Sequence, residues 1–126
     1  MVKALIHKAH YATQISSATN TLTADEPISH GGTGKGFAPM ELLASSLAAC
    51  TSITLRMYAD RKEWNLDSIG VNVDIERNND ISTFKRTIDL KGNLNEEQTH
   101  KLLDIANHCP IHKILNNSIS IHTTLS

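Results

Sequence analysis

Aromatic residues make up only 4% of this 126-residue chain, so whatever core it builds is aliphatic and would gain from a second subunit covering it. A domain of this length buries roughly two-thirds of its unfolded surface, enough for one core without staples, and a single domain over residues 1–126 is expected. No excess of charge of either sign is present: Lys and Arg number 12 against 13 Asp and Glu, a formal charge of −1. Without a basic stripe interleaved with aromatics, nucleic acid is not an expected partner. The N-terminus, Met1-Val2-Lys3-Ala4-Leu5-Ile6-His7, lacks the sustained apolar stretch and small-residue cleavage site of a secretory signal. No segment is expected to reach the length of a membrane span, so no membrane partner is expected either. These absences together point to a cytosolic protein. Cysteine is scarce, with two residues, and in a reducing compartment two thiols are reactive or metal-binding groups rather than a permanent staple.

What is present is a set of short patterned runs. Over residues 2–25, Val2, Ala4 and Ile6, then Tyr11, Thr13 and Ile15, then Thr21 and Thr23 around Leu22 alternate as two or three strands do. From Asp25 to Pro39 the residues Pro27, Gly31, Gly32, Gly34 and Gly36 break any regular element, which predicts a mobile loop. Pro39 suits a first helical turn and Glu41 complements the positive end of a helix dipole. From there to about Lys62 no Gly or Pro intervenes, which predicts one helix of more than about 20 residues. Ile69, Val71, Val73 and Ile75 alternate strictly, Asn78-Asn79-Asp80 signals a turn, and Phe84, Ile88 and Leu90 share one parity with Arg86 between them, the pattern of a hairpin. Asn95 with Gln98 reads as a capping box opening a helix through Leu102, Leu103 and Ala106. Pro110 interrupts it, a short helix covers Ile111 to Leu115, and Ile119, Ile121, Thr123 and Leu125 predict a last strand. This order predicts an α+β fold on antiparallel sheet.

The two cysteines stand in different settings, and a thiol pair of this kind suggests redox chemistry. Cys50 lies in the apolar run Met40–Leu55, and on a helical wheel Leu43, Leu47, Ile53 and Met57 fall within about 60° of it, which predicts Cys50 at the middle of a buried stripe. An inert core cysteine would look the same. Burial raises a thiol's pKa, and Cys50 is about three turns, roughly 16 Å, from the helix start, beyond help from the dipole. Cys109 lies in Asn107-His108-Cys109-Pro110-Ile111-His112-Lys113, where a helix opening at Pro110 would offer it free N–H groups that favour a thiolate. A small residue filling a corner between helices would also fit there. A metal site built from Cys50, Cys109, His112 and His108 would have only one Cys-x-x-His spacing, and neither metal nor cofactor is expected.

The Gly-rich loop, then Ala38-Pro39-Met40-Glu41-Leu42-Leu43, then Ala48-Ala49-Cys50 in a long helix, then His108-Cys109-Pro110-Ile111-His112-Lys113 before a final strand, resembles the OsmC/Ohr family over essentially the whole chain, in its divergent OsmC-like branch. The resemblance implies an intertwined homodimer whose long central helices pack together between two antiparallel sheets. It also implies thiol peroxidase chemistry on organic hydroperoxides or another small apolar molecule. Cys50 matches the peroxidatic position and Cys109 the resolving one, and an external dithiol reductant reopens the disulfide they form. The two sulfurs are therefore expected to meet in the fold.

Two positions depart from the hydroperoxide-reductase pattern. Those enzymes place an Arg in the N-terminal strands or loops to stabilise the thiolate, and here no Arg precedes Arg56. They carry a carboxylate directly after the helix-opening Pro, where this chain has Met40, and Glu41 points about 180° away from Cys50. Lys8, His10, His30 and Lys35 are the cations or bases the N-terminal region offers. Without an activating cation, Cys50 is expected to titrate at or above the free value of about 8.5. A non-enzymatic ligand carrier or redox sensor, or a structural dimer with unreactive thiols, fits the same residues.

Overall fold

A computed structural model describes residues 1–126 as an α+β protein with antiparallel sheets and one long helix. The chain divides into two compact units, Met1–Leu43 and Ala44–Ser126, and the long helix α1, Pro39–Arg61, runs through the boundary.

In the N-terminal unit three short strands, β1 (Lys3–Ile6), β2 (Thr13–Ser16) and β3 (Thr21–Ala24), form an antiparallel meander in sequence order. Ile15 faces Ala4 on one side and Leu22 on the other, so the alternation in the sequence becomes cross-strand pairing. The loop that follows, expected to be mobile, is organised around one side chain. Asp25 is 3% exposed. Its carboxylate accepts N–H bonds from Tyr11 (3.3 Å), Glu26 (2.7 Å), Thr33 (3.4 Å) and Lys35 (3.2 Å), and a hydroxyl bond from Thr33. The Thr33 hydroxyl bond, aided by the backbone N–H groups and opposed by burial, holds the Asp25 carboxyl well below the usual carboxylate range. Two glycines let the loop close this tightly. A Cβ at Gly32 would lie 2.0 Å from the Glu26 carbonyl oxygen, and one at Gly36 would lie 1.9 Å from that of Thr23.

In the second unit α1 continues to Arg61 and is followed by β4 (Leu66–Asn78), β5 (Ile81–Gly92), α2 (Glu96–Ala106) and α3 (Pro110–Leu115). The hairpin turns on Asn79 and Asp80, with Asn79 at φ 54°, a conformation its side chain tolerates. Val71 faces Ile88, Val73 faces Arg86 and Ile75 faces Phe84. The capping box at α2 forms as the sequence predicts: Asn95 accepts from the Gln98 N–H at 2.8 Å, and Gln98 accepts from the Asn95 N–H at 3.0 Å. Leu55, Ala59, Leu66, Leu102, Ile105 and Ala106 make the core, with Ile69, Ile88 and Leu90 of the hairpin packed against it.

Three expectations are corrected. The buried stripe of α1 runs through Leu47, Thr51, Leu55 and Ala59, centred about 120° around the axis from Cys50. The hairpin and α2 cover that side, so Cys50 is only half-buried at the edge of the stripe, and Ile53 and Met57 are exposed. Residues 118–126 form no strand. A strand takes its partners from a neighbouring edge, and within the chain no edge pairs with this segment, leaving Ile119, Ile121 and Leu125 exposed. Finally, α1 itself, 23 residues long with an 18-residue stretch of mean hydropathy 1.2, is long and apolar enough to cross a membrane. Its packing of Leu55 and Ala59 against Leu102, Ile105 and Ala106 is that of a core helix.

Candidate functional site

Cys50 comes from the middle of α1 and Cys109 from the residue that caps α3. Pro110 sits at the first turn of α3, where its missing N–H costs nothing, and Cys109 before it is extended, at φ −62° and ψ 133°. That geometry aims its sulfur back at the helix: Cys109 Sγ accepts the His112 N–H at 3.4 Å. The core around Leu102 and Ile105 holds α2, and through it the short connection to α3, against α1. The structure thus brings the two thiols together, both reduced and near enough for each to shift the other's titration.

Their surroundings differ. Cys109 is fully buried. Burial pushes its thiol up, but the neighbouring Cys50 thiol and the backbone N–H groups of His112 and Ile111 outweigh that, so the net shift is downward. For Cys50, burial raises the pKa, and the hydrogen bond to Cys109 and the charge of a Cys109 thiolate raise it further. The Ile111 N–H and the Thr54 hydroxyl oppose this only in part. The expected upward displacement of Cys50 is therefore present, and the sulfur better provided with donors is Cys109.

A cation also stands here, from β5 rather than from the N-terminal region. Arg86 projects from β5, and its Nη1 donates to Thr51 Oγ1 at 3.1 Å and to the Ala106 carbonyl at 3.2 Å. Its Nη2 donates to Asn107 Oδ1 at 3.1 Å and faces His112 Nδ1 at 3.3 Å. No carboxylate pairs with it. A guanidinium only donates, so His112 Nδ1 accepts and the ring proton sits on Nε2. Burial and then the Arg86 charge lower the His112 pKa, keeping the ring neutral at pH 7. Beside this group lies a cavity of about 270 Å³, with Leu47, Phe84, Arg86, His112 and Leu115 in its wall.

Of the residues singled out in sequence, Cys50, Cys109 and His112 come together, while His108 is exposed. Glu41 is used at the helix start, where its carboxylate accepts the Ala38 N–H at 2.9 Å. Lys8, His10, His30 and Lys35 are exposed residues of the N-terminal unit. Arg86 and Thr51 are the two that sequence reasoning missed. The signal for Arg86 was its place on the inward parity of a strand with Phe84, Ile88 and Leu90, where a charge needs a reason. For Thr51 the signal was a hydroxyl on the Leu47–Leu55–Ala59 face.

Comparison with known proteins identifies the family and the fold. A family model described as OsmC-like protein matches residues 32–124. No curated protein sequence matches the chain as a relative. Among solved structures, an OsmC-like protein from Mycoplasma pneumoniae superposes with a TM-score of 0.78 at 22% identity, covering 92% of this chain and 86% of that one. An organic hydroperoxide resistance protein from Legionella pneumophila gives 0.61 at 22% identity, with 90% and 85% covered. The organic hydroperoxide resistance protein OhrB of Bacillus subtilis gives 0.57 at 22% identity, with 90% and 87% covered. At such identities the superpositions establish the fold, and with a family model spanning most of its length the chain belongs to the OsmC-like protein family.

Proposed function

We propose that the protein is a thiol-dependent reductase of organic hydroperoxides that acts through Cys50 and Cys109. The observation that carries this reading is the pair of free thiols brought together from α1 and the start of α3, one sulfur half-buried and the other buried. The half-buried Cys50 sulfur attacks the distal peroxide oxygen, the O–O bond breaks, and the leaving alkoxide takes a proton to become the alcohol. Cys50 is then a sulfenic acid. The Cys109 sulfur attacks it, the S–S bond forms, and the oxygen leaves as water. An external dithiol restores both thiols by exchange, its own sulfurs ending as a disulfide. The solved structures titled as organic hydroperoxide resistance proteins support the substrate class by likeness of fold.

The working form in this reading is a homodimer. Leu5, Ile6 and Leu22 on the meander, Ile53 and Met57 on α1, and Ile119, Ile121 and Leu125 at the end of the chain are all exposed, apolar surface that a second copy would cover. An obligate interface of the order of 2,000 Å² or more would cover it.

The test is consumption of cumene hydroperoxide by the reduced protein with dithiothreitol in excess. Many turnovers per subunit, abolished in Cys50→Ala, are expected. A single stoichiometric oxidation that does not cycle under excess dithiol would replace the enzyme with a redox sensor. A Cys50 that no hydroperoxide oxidises would leave a ligand carrier.

A further inference from the structure

The acceptors gathered by the Arg86 guanidinium lie beside the two cysteines in sequence. Nη1 donates to Thr51 Oγ1 at 3.1 Å and to the Ala106 carbonyl at 3.2 Å. Nη2 donates to Asn107 Oδ1 at 3.1 Å and faces His112 Nδ1 at 3.3 Å. Thr51 is the residue after Cys50, while Ala106 and Asn107 precede Cys109 and His112 follows it. One side chain of β5 is thus tied to both cysteine-bearing segments.

These bonds stand where the apolar packing stops. The core that α2 makes with Leu55 and Ala59 of α1 ends at Ala106, and α3 has no buried residue of its own. From Asn107 to Leu115 only Cys109 is buried. Apolar packing therefore fixes α2 on α1 and leaves the turn into α3 to polar fastening. A guanidinium suits that task, because it is planar, its N–H groups keep fixed mutual directions, and it loses less freedom per bond than a flexible ammonium.

We propose that Arg86 is a positioning residue for the thiol pair: by bonding Thr51, Ala106, Asn107 and His112 at once it holds Cys109 at Cys50, and so sets how readily the two sulfurs close to a disulfide. The proposal rests on the peroxidase reading for the use of that disulfide, which is its second step, and not for the disulfide's stability. Arg86 acts on the sulfurs through their neighbours in the chain. Closure needs Cα atoms within about 7 Å and a narrow range of torsions. Where the fold already meets that requirement, the effective concentration of one thiol at the other is high. Without Arg86 the turn into α3 has to be ordered as the bond forms, so the disulfide is less stable.

The experiment is the redox equilibrium of the protein in dithiothreitol at graded ratios of reduced to oxidised reagent, with free thiols trapped by alkylation and counted by intact mass. Each disulfide reduced takes two electrons from dithiothreitol, whose two thiols end as its cyclic disulfide. Arg86→Gln is expected to lower the constant for disulfide formation by about tenfold or more. A tenfold change makes the pair about 30 mV more oxidising. Arg86→Lys should recover part of the loss. Asn107→Ala removes one exposed acceptor, and should lower the constant by a smaller factor in the wild-type background and not at all in Arg86→Gln. A merely structural loss would not give that dependence. An unchanged constant in Arg86→Gln, or an Asn107→Ala effect undiminished in that background, would overturn the proposal. Should Arg86→Gln not fold, a constant unchanged in both Arg86→Lys and Asn107→Ala would overturn it equally. No peroxide enters the measurement: a constant that falls in Arg86→Gln without peroxide turnover by the wild type would refute only the enzyme reading, and turnover with an unmoved constant would refute only this one.

Discussion

Thr51→Val removes one hydroxyl from the centre of the site and leaves its shape almost unchanged. Thr51 is 0% exposed, and its Oγ1 donates to the Leu47 carbonyl at 2.7 Å, accepts from Arg86 Nη1 at 3.1 Å and contacts Cys109. Valine fills the same volume, so no cavity opens. What is lost is chiefly a buried hydrogen bond to a charged group, worth about 1.5–3 kcal/mol. Arg86 Nη1 retains the Ala106 carbonyl at 3.2 Å, which places the expected cost in the lower half of that range. For a chain of this length the loss lowers the melting temperature by about 5–10 °C. Urea and thermal unfolding at one fixed protein concentration would measure it, because dissociation of an oligomer shifts apparent stability with concentration. Thr51→Ser, which keeps the hydroxyl, should recover the stability. A valine variant within about 0.5 kcal/mol of wild type, the range of an ordinary surface substitution, would refute the reasoning that makes the Arg86 bond to this hydroxyl a stabilising one.

Leu102 is fully buried against Leu55, Ala59 and Ile105, so Leu102→Ala should cost about 2–5 kcal/mol in denaturant unfolding and loosen the positioning of α3 by way of α2. Asp25→Asn should expose the loop over residues 25–38 to limited proteolysis, since four backbone N–H groups lose a charged acceptor. The folded pKa of Asp25 is depressed from 3.8, so its contribution is full above that value and is lost as the pH falls toward the folded pKa. The stability difference between wild type and Asp25→Asn should accordingly shrink in acid. Sedimentation at low micromolar concentration should give a single dimeric species, shifted toward monomer in Met57→Glu, and a stable, well-folded wild-type monomer would contradict the dimer.

The elements that local chemistry specifies were legible in the sequence. Pro39 and the absence of breakers to Lys62 gave α1, the Asn95 and Gln98 pair gave the α2 cap, and alternation around Asn79-Asp80 gave the hairpin. The face of α1 was not legible, because apolar residues cover most of its circumference. Which of them are buried depends on where the hairpin and α2 land, and they land on Leu47, Thr51, Leu55 and Ala59. The alternation of Ile119, Ile121, Thr123 and Leu125 specifies a strand without specifying an edge to pair with, and the chain alone provides none. At the site, the thiols were identified by their neighbours in sequence. Arg86 was not, because it is brought in by a strand pairing that sets it opposite Val73 and directs it to Thr51, 35 positions away. The Asp25 cluster was hidden for the same reason: its donors come from Tyr11, Thr33 and Lys35, and only the glycines that allow the approach stand out in the sequence.

The central claim, that Cys50 and Cys109 form one redox unit, is tested most directly by treating the reduced protein with a single equivalent of cumene hydroperoxide and mapping its peptides without reductant. The proximity of the two thiols predicts one crosslinked peptide pair joining Cys50 to Cys109, a mass loss of two hydrogens, and monomer mobility on a denaturing gel run without reductant. Links between chains only, or sulfinic acid on Cys50 with Cys109 still free, would contradict it.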